Sequence, residues 1–139
     1  MTAMAEGLVL VVEDSEDDME AVARALARSH PLVRLEFAGR ADAVLGRLLD
    51  PAAERPRLVL LDLNLPGYSG HDLLGDLRAH PELTGLPVVV FTSSTAPAEV
   101  DACYAAGADS YIFKPLNFEL FRTVLGSTVD FWLGEVRSG

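Results

Sequence analysis

The stretch LVLLDLNLPG, residues 58–67, decides the fold. Leu58, Val59, Leu60 and Leu61 form a continuous apolar run with no polar alternation, which suits a strand buried on both faces, as in a parallel sheet covered by helices. Asp62 ends the run, and Pro66-Gly67 behind it are turn formers. An aspartate at this point has two readings. It either turns the chain or caps the next helix, or it is a working carboxylate delivered to the carboxyl end of a buried strand. The rest of the chain has to choose between them.

Working outward, further strand-like runs lie at 7–12 (GLVLVV), 33–37 (VRLEF), 87–92 (PVVVFT) and 110–113 (SYIF), each separated by a segment with helical character. That alternation predicts an α/β fold with a doubly wound, five-stranded parallel sheet. The first helix starts at a capping-box-like Ser15 with Asp18 three residues on, followed by Met19, Val22, Ala23 and Leu26 at helical spacing. Further helices are expected over 40–49, 70–79 and 97–106. A last helix, from about 117 to 135, carries two apolar stripes: Phe118, Phe121, Leu125, Val129 and Trp132 on one, Leu120, Val124 and Phe131 beside it. Packing on a sheet needs one stripe. The second is expected to be a partner surface.

Composition narrows the function. The chain has 139 residues, half of them hydrophobic, with a formal charge of -10, which fits one globular domain with its core over about 7–133 and no output domain. The acidic balance excludes non-specific binding to nucleic acid or to an anionic membrane. The single cysteine, Cys103, reads as a small core residue. His30, His71 and His80 lack metal-ligand spacing and read as surface residues. The apolar run at 7–12 is too short to span a bilayer, and the acidic cluster behind it is wrong for a secretory signal, so a cytoplasmic protein is expected.

In a doubly wound sheet the ligand site lies beyond the carboxyl ends of the strands. Those ends deliver Glu13-Asp14, Asp62, Thr92 and Lys114-Pro115. Carboxylates converging in a dry crevice repel one another unless a cation neutralises them, and oxygen donors suit Mg²⁺ or Mn²⁺. With a metal, an ammonium and a hydroxyl around it, a phosphoryl group could be taken by in-line attack of a carboxylate. Asp62 is the candidate nucleophile.

The motifs VVED at 11–14, LLDLNLPGYSG at 60–70, VVVFTSS at 88–94 and AGADSYIFKP at 106–115, in this order and spacing, resemble the receiver domain of two-component response regulators. The resemblance implies that Asp62 is the phosphoacceptor and Asp14 a direct metal ligand. Glu13 is then a ligand through water, in place of the more usual aspartate, and Asn64 a ligand through its backbone carbonyl. Thr92 becomes the switch hydroxyl, Tyr111 the switch aromatic and Lys114 the phosphate-binding lysine, with a cis bond from Lys114 to Pro115. The segment HPELTGLPVVVFTSS from His80 and the ending FWLGEV are similar to small phytochrome-associated response regulators.

The resemblance further implies a sensor histidine kinase as phosphodonor, with a bacteriophytochrome as a candidate, slow autodephosphorylation, and an unidentified downstream protein. The second stripe, Leu120, Val124 and Phe131, is expected to form a homodimer across the face of the fourth helix, fifth strand and fifth helix. Two other readings fit these residues less well. A phosphohydrolase of the haloacid-dehalogenase type needs a second acid two residues after the nucleophile, where this chain has Asn64. A pseudo-receiver that binds partners without phosphorylation does not fit chemically competent residues at every strand end.

Overall fold

A strand made only of leucine and valine needs neighbours on both edges and helices on both faces, and the computed structural model, which describes residues 4–65, 68–94 and 96–134, provides them. Strand and helix alternate: β1 (Gly7–Val12), α1 (Glu16–Ala27), β2 (Val33–Ala38), α2 (Val44–Leu49), β3 (Leu58–Leu61), α3 (Gly70–Arg78), β4 (Val88–Thr92), α4 (Pro97–Ala106), β5 (Ser110–Phe113) and α5 (Phe118–Leu133). All pairings are parallel, in the order β2-β1-β3-β4-β5. The chain changes winding direction between β1 and β3, where a crevice opens at the carboxyl ends. This is the doubly wound architecture expected from the strand pattern.

Alternate residues of the strands feed two cores. Leu10, Val12, Val59, Leu61, Val88 and Val90 face Leu73, Leu74 and Leu77 of α3, with α2 and Cys103 of α4 beside them. Val9, Val11, Leu58, Leu60, Val89 and Phe91 face Val22 and Leu26 of α1 and Phe121, Leu125 and Val129 of α5. The first stripe expected on α5 is therefore the packing stripe. Of the second, Val124 is partly buried against the core, while Leu120 and Phe131 stay 54% and 70% exposed.

Several details differ from the sequence expectation. The helix expected over 40–49 opens as a 3-10 turn at Ala41–Ala43, a frequent way for an α-helix to begin. Ala41 and Val44 are both buried. His30 is buried rather than on the surface. Its Nε2 meets Asp130 Oδ1 at 2.8 Å and its Nδ1 meets Ser29 Oγ at 2.6 Å, tying the chain after α1 to α5. The last helix ends at Leu133, with Gly134 extended behind it, short of the expected 135, and the turn expected at Pro66-Gly67 lies outside the described residues.

Arg78, at the end of α3, holds one rim of the fold. It donates to the carbonyls of Gly107, Leu83 and Leu86 at 2.9, 3.1 and 3.0 Å, and to Asp109 at 2.6 Å. Asp109 in turn accepts the N–H of Val88 at the start of β4. Gly107 ends α4 at φ +110°, a left-handed conformation, and a Cβ there would also fall 2.5 Å from Arg78 Cγ. Replacing Arg78 by alanine removes a donor from three carbonyls and one carboxylate, of which the Leu83 carbonyl and Asp109 keep a backbone N–H. Arg78→Ala is expected to cost about 2–3 kcal/mol, read as a lower urea midpoint at unchanged slope. A loss within error of zero would contradict the role of this residue.

Candidate functional site

Sheet register builds the site. Val12 lies opposite Leu61 and Thr92 opposite Phe113, so Glu13 and Asp62 leave adjacent strands side by side, and Lys114 leaves β5 next to Thr92. Three backbone bonds carry the register past the strand ends: Glu13 N–H to Ala38 at 2.9 Å, Asp62 N–H to Val12 at 3.0 Å and Lys114 N–H to Thr92 at 2.7 Å. Gly70, at the start of α3, lies so close to the loop after Asp62 that a Cβ would stand 2.9 Å from Leu63 Cα. A larger residue there would push the loop after β3.

Lys114 is the centre of the arrangement. Its ammonium donates to Glu13 Oε2 at 2.6 Å, Asp62 Oδ2 at 2.8 Å and Asp18 Oδ2 at 2.9 Å. Lys114, Glu13, Asp62 and Thr92 are all buried. Asp62 Oδ1 accepts the N–H of Asn64 at 3.0 Å and faces the Thr92 hydroxyl at 3.4 Å, long for a hydrogen bond. Glu13 Oε1 accepts the N–H of Ser15 at 3.0 Å. The extra methylene of a glutamate lets one side chain hold both that helix-cap donor and the lysine.

One ammonium against three carboxylates leaves the cluster negative. Burial is the main cause that raises the Glu13 carboxyl to about 7, and its hydrogen bond with Asp62 raises it further, against the opposing pull of Lys114 and Ser15. Burial also opposes ionisation of Asp62. Hydrogen bonds from Glu13, the Asn64 N–H and Lys114 outweigh it, and the Asp62 carboxyl lies below the usual range. Burial disfavours the charged ammonium of Lys114, but bonds to Asp62, Glu13 and Asp18 overcome it and push its pKa up. Of the two acids, Glu13 is therefore the one whose carboxyl is pushed up and Asp62 the one held down.

Oxygens of Glu13, Asp18 and Asp62 lie within 4.8 Å of one another. An all-carboxylate set of excess negative charge fits a hard divalent cation such as Mg²⁺ or Mn²⁺. Asp14 stands beside this cluster with an exposed side chain and is not one of the three gathered acids, and the side chain of Asn64 is also exposed. Asp18 was read from the sequence only as a capping residue. Its signal was the five-residue step from Glu13, which brings the first turn of α1 back over the strand end.

Around this centre, the Tyr111 hydroxyl donates to the Ser94 carbonyl at 2.6 Å, bridging β5 to the loop after β4, and Ser94 Oγ donates to Glu99 of α4 at 2.8 Å. The Lys114–Pro115 bond is not cis: the described residues contain no cis peptide. Lys114 reaches all three acids from the trans form, which X–Pro bonds prefer by about 0.5–1 kcal/mol. His71 stands 3.4 Å from the Cys103 thiol, and burial, aided by Glu99, pushes that thiol up to about 11, far from a reactive thiolate. No described helix is long and apolar enough to cross a membrane.

A buried aspartate at the switch point of a parallel sheet, held by a lysine and faced by a threonine, defines a phosphoryl-accepting signalling domain. Residues 9–125 match the model of the response regulator receiver domain, and the chain belongs to that family. It is similar to the response regulator Rcp1 of Synechocystis sp., 37% identical over 134 residues that cover 93% of this chain and 90% of that protein. It is also similar to the probable methanogenesis regulatory protein FilR2 of Methanothrix harundinacea, 35% identical over 134 residues, covering 94% and 86%. The solved Mn²⁺-bound form of Rcp1 superposes with a TM-score of 0.83 at 31% identity, covering 95% of this chain and 97% of that one. The phosphorylated cyanobacterial phytochrome response regulator RcpA gives 0.85 at 28% identity, covering 93% and 95%.

The raised Glu13 carboxyl sets a pH dependence. Below its ordinary value of 4.5 the group is protonated in both folded and unfolded chains, and between 4.5 and about 7 only the folded chain keeps the proton. Stability therefore falls as pH rises through that window. The Asp62 shift acts below 3.8, outside the window. In EDTA, Glu13→Gln is expected to flatten the decline in urea midpoint between about pH 5 and about pH 8. An equal decline in parent and variant would contradict the assignment.

Proposed function

We propose that Asp62 is the residue on which this receiver domain carries its phosphoryl group, taken from the phosphohistidine of a sensor histidine kinase. The observation that carries the reading is the Asp62 carboxylate, anionic, buried and held at 2.8 Å by Lys114. The Asp62 oxygen attacks phosphorus as the bond from phosphorus to the donor imidazole nitrogen breaks, and the imidazole takes a proton from water. A cleft of about 330 Å³ lined by Asp18, Ala21, Lys114, Pro115 and Phe118 opens beside the lysine and gives the donor ring its approach.

The cation is assigned to Asp62 and Glu13, two of the three gathered acids, and the family resemblance adds Asp14 and the backbone carbonyl of Asn64 as ligands. A divalent ion bound there neutralises charge on the phosphoryl oxygens. The Mn²⁺-bound structure of Rcp1 supports the choice of ion. Phosphorylation adds roughly -1.5 to -2 charge at the end of β3. Lys114 turns one N–H to a phosphoryl oxygen, and the Thr92 hydroxyl closes its 3.4 Å gap to do the same. The loop after β4 follows Thr92, and because Tyr111 is tied to Ser94 in that loop, the surface of α4, β5 and α5 shifts its population with it.

The similarity to Rcp1 and to the phytochrome response regulator RcpA supports a bacteriophytochrome as the kinase. A homodimer across α4, β5 and α5 is supported by exposed Phe113, Leu116, Leu120 and Phe131 on that side, and by a cleft of about 430 Å³ under Phe131 and Trp132. Val124 contributes less, being turned partly into the core.

Asp62→Asn is expected to abolish label transfer from acetyl phosphate or a phosphorylated kinase in Mg²⁺, by at least ~100-fold, with the urea midpoint largely kept. Equal labelling of the variant would sink the assignment. For the dimer, sedimentation at tens of micromolar is expected to give twice the monomer mass with beryllofluoride, and Leu120→Glu with Phe131→Glu should return it to monomer. A monomer throughout removes that proposal.

A further inference from the structure

We infer that Asp18 is a positioning residue for Lys114: it shares the ammonium with Asp62 and competes with the phosphoryl group for it. The competition rests on Asp62 being the acceptor; the hold of Asp18 on the lysine does not.

Asp18 is the third residue of α1, and its N–H donates to the Ser15 hydroxyl at 3.2 Å, the first half of a capping box. In the reciprocal half, the acid at this position accepts the N–H of the capping residue. Here Glu13 Oε1 takes the Ser15 N–H instead, at 3.0 Å. The carboxylate of Asp18 is thereby released from the cap and turned to Lys114 at 2.9 Å. The long side chain of Glu13 and the freedom of Asp18 are two sides of one exchange.

An ammonium has three N–H donors, and three carboxylates take them. No donor remains for a phosphoryl oxygen, so one contact has to be given up when that group arrives. Side-chain exposure selects it: Glu13 and Asp62 are 4% and 10% exposed and Asp18 is 40% exposed. Water can replace the lysine at Asp18 at small cost, whereas Oε2 of the buried Glu13 would be left without a donor. Asp18 is the contact that is exchanged, and its charge opposes the exchange.

Lys114 is the single lysine of the chain, so ¹⁵N-lysine labelling yields one side-chain Nζ resonance. In EDTA, Asp18→Asn is expected to move that resonance, Asp18→Glu to restore most of it, and Asp17→Asn, which removes the same charge from the same helix turn, to leave it in place. At saturating Mg²⁺, Asp18→Asn is expected to tighten binding of beryllofluoride by roughly twofold to fivefold, the range for a partly exposed ion pair, and Asp17→Asn to leave it unchanged. An unmoved Nζ resonance in Asp18→Asn, or an equal response to Asp17→Asn, overturns the positioning role. A moved resonance with unchanged or weaker beryllofluoride binding overturns the competition. If beryllofluoride leaves the parent's resonance unmoved, the acceptor reading of Asp62 fails, and the response of Nζ to Asp18→Asn still decides whether Asp18 holds the lysine.

Discussion

One ammonium placed among three carboxylates is the constraint on which the rest of this structure depends. Lys114, Glu13 and Asp62 are buried where neither a lone cation nor a lone anion is tolerable, and each is permitted only by the others. The excess of acid over base is the chemically useful part. It pushes the Glu13 carboxyl up, while Asp62 is held below the usual range, and it maintains a standing demand for positive charge at the mouth of the crevice. Packing alone would favour an apolar cluster here, so the network is explained by its chemistry and not by stability.

The sheet converts that chemistry into a signal. β3 leads to Asp62, β4 ends in the hydroxyl of Thr92 and β5 leads to the lysine; β3 and β4 are buried along their whole length, whereas β5 is a half-exposed edge strand. What can move lies beyond them. Among the described residues, the loop after β4 is joined to Tyr111 by a bond from the phenol to Ser94 and to α4 by a bond from Ser94 to Glu99. Charge arriving at Asp62 therefore meets buried strands on one side and this loop on the other. Of the exposed apolar residues, Phe113 ends β5 and Leu120 opens α5, whereas Phe131 lies at the far end of α5, beside Asp109 and Ser110 at the start of β5.

The sequence makes the frame legible because its signals are local. An unbroken apolar run means a buried parallel strand, and alternation of five such runs with helical segments leaves few topologies. The strand ends could then be read off as a list, and order and spacing of the motifs pointed to the receiver family. What escaped the sequence depends on which of two partners a group takes. Asp18 looked like half of a capping box, and only the claim of Glu13 on the Ser15 N–H frees it for the lysine. His30 looked like a surface residue because its partner, Asp130, is 100 residues away. The Lys114–Pro115 bond was expected cis from resemblance, but the lysine reaches its partners from trans. Asp14 and Glu13 are neighbours in sequence and diverge in space, one exposed and one buried.

The most direct measurement is chemical trapping of the phosphorylated chain. Borohydride reduces an aspartyl phosphate to homoserine, and peptide mass spectrometry then reads which carboxylate carried the group. The expected result is homoserine at position 62 alone, dependent on Mg²⁺ and on Lys114. Homoserine at position 14 or 18, or a phosphorylated chain that yields none, would contradict the account.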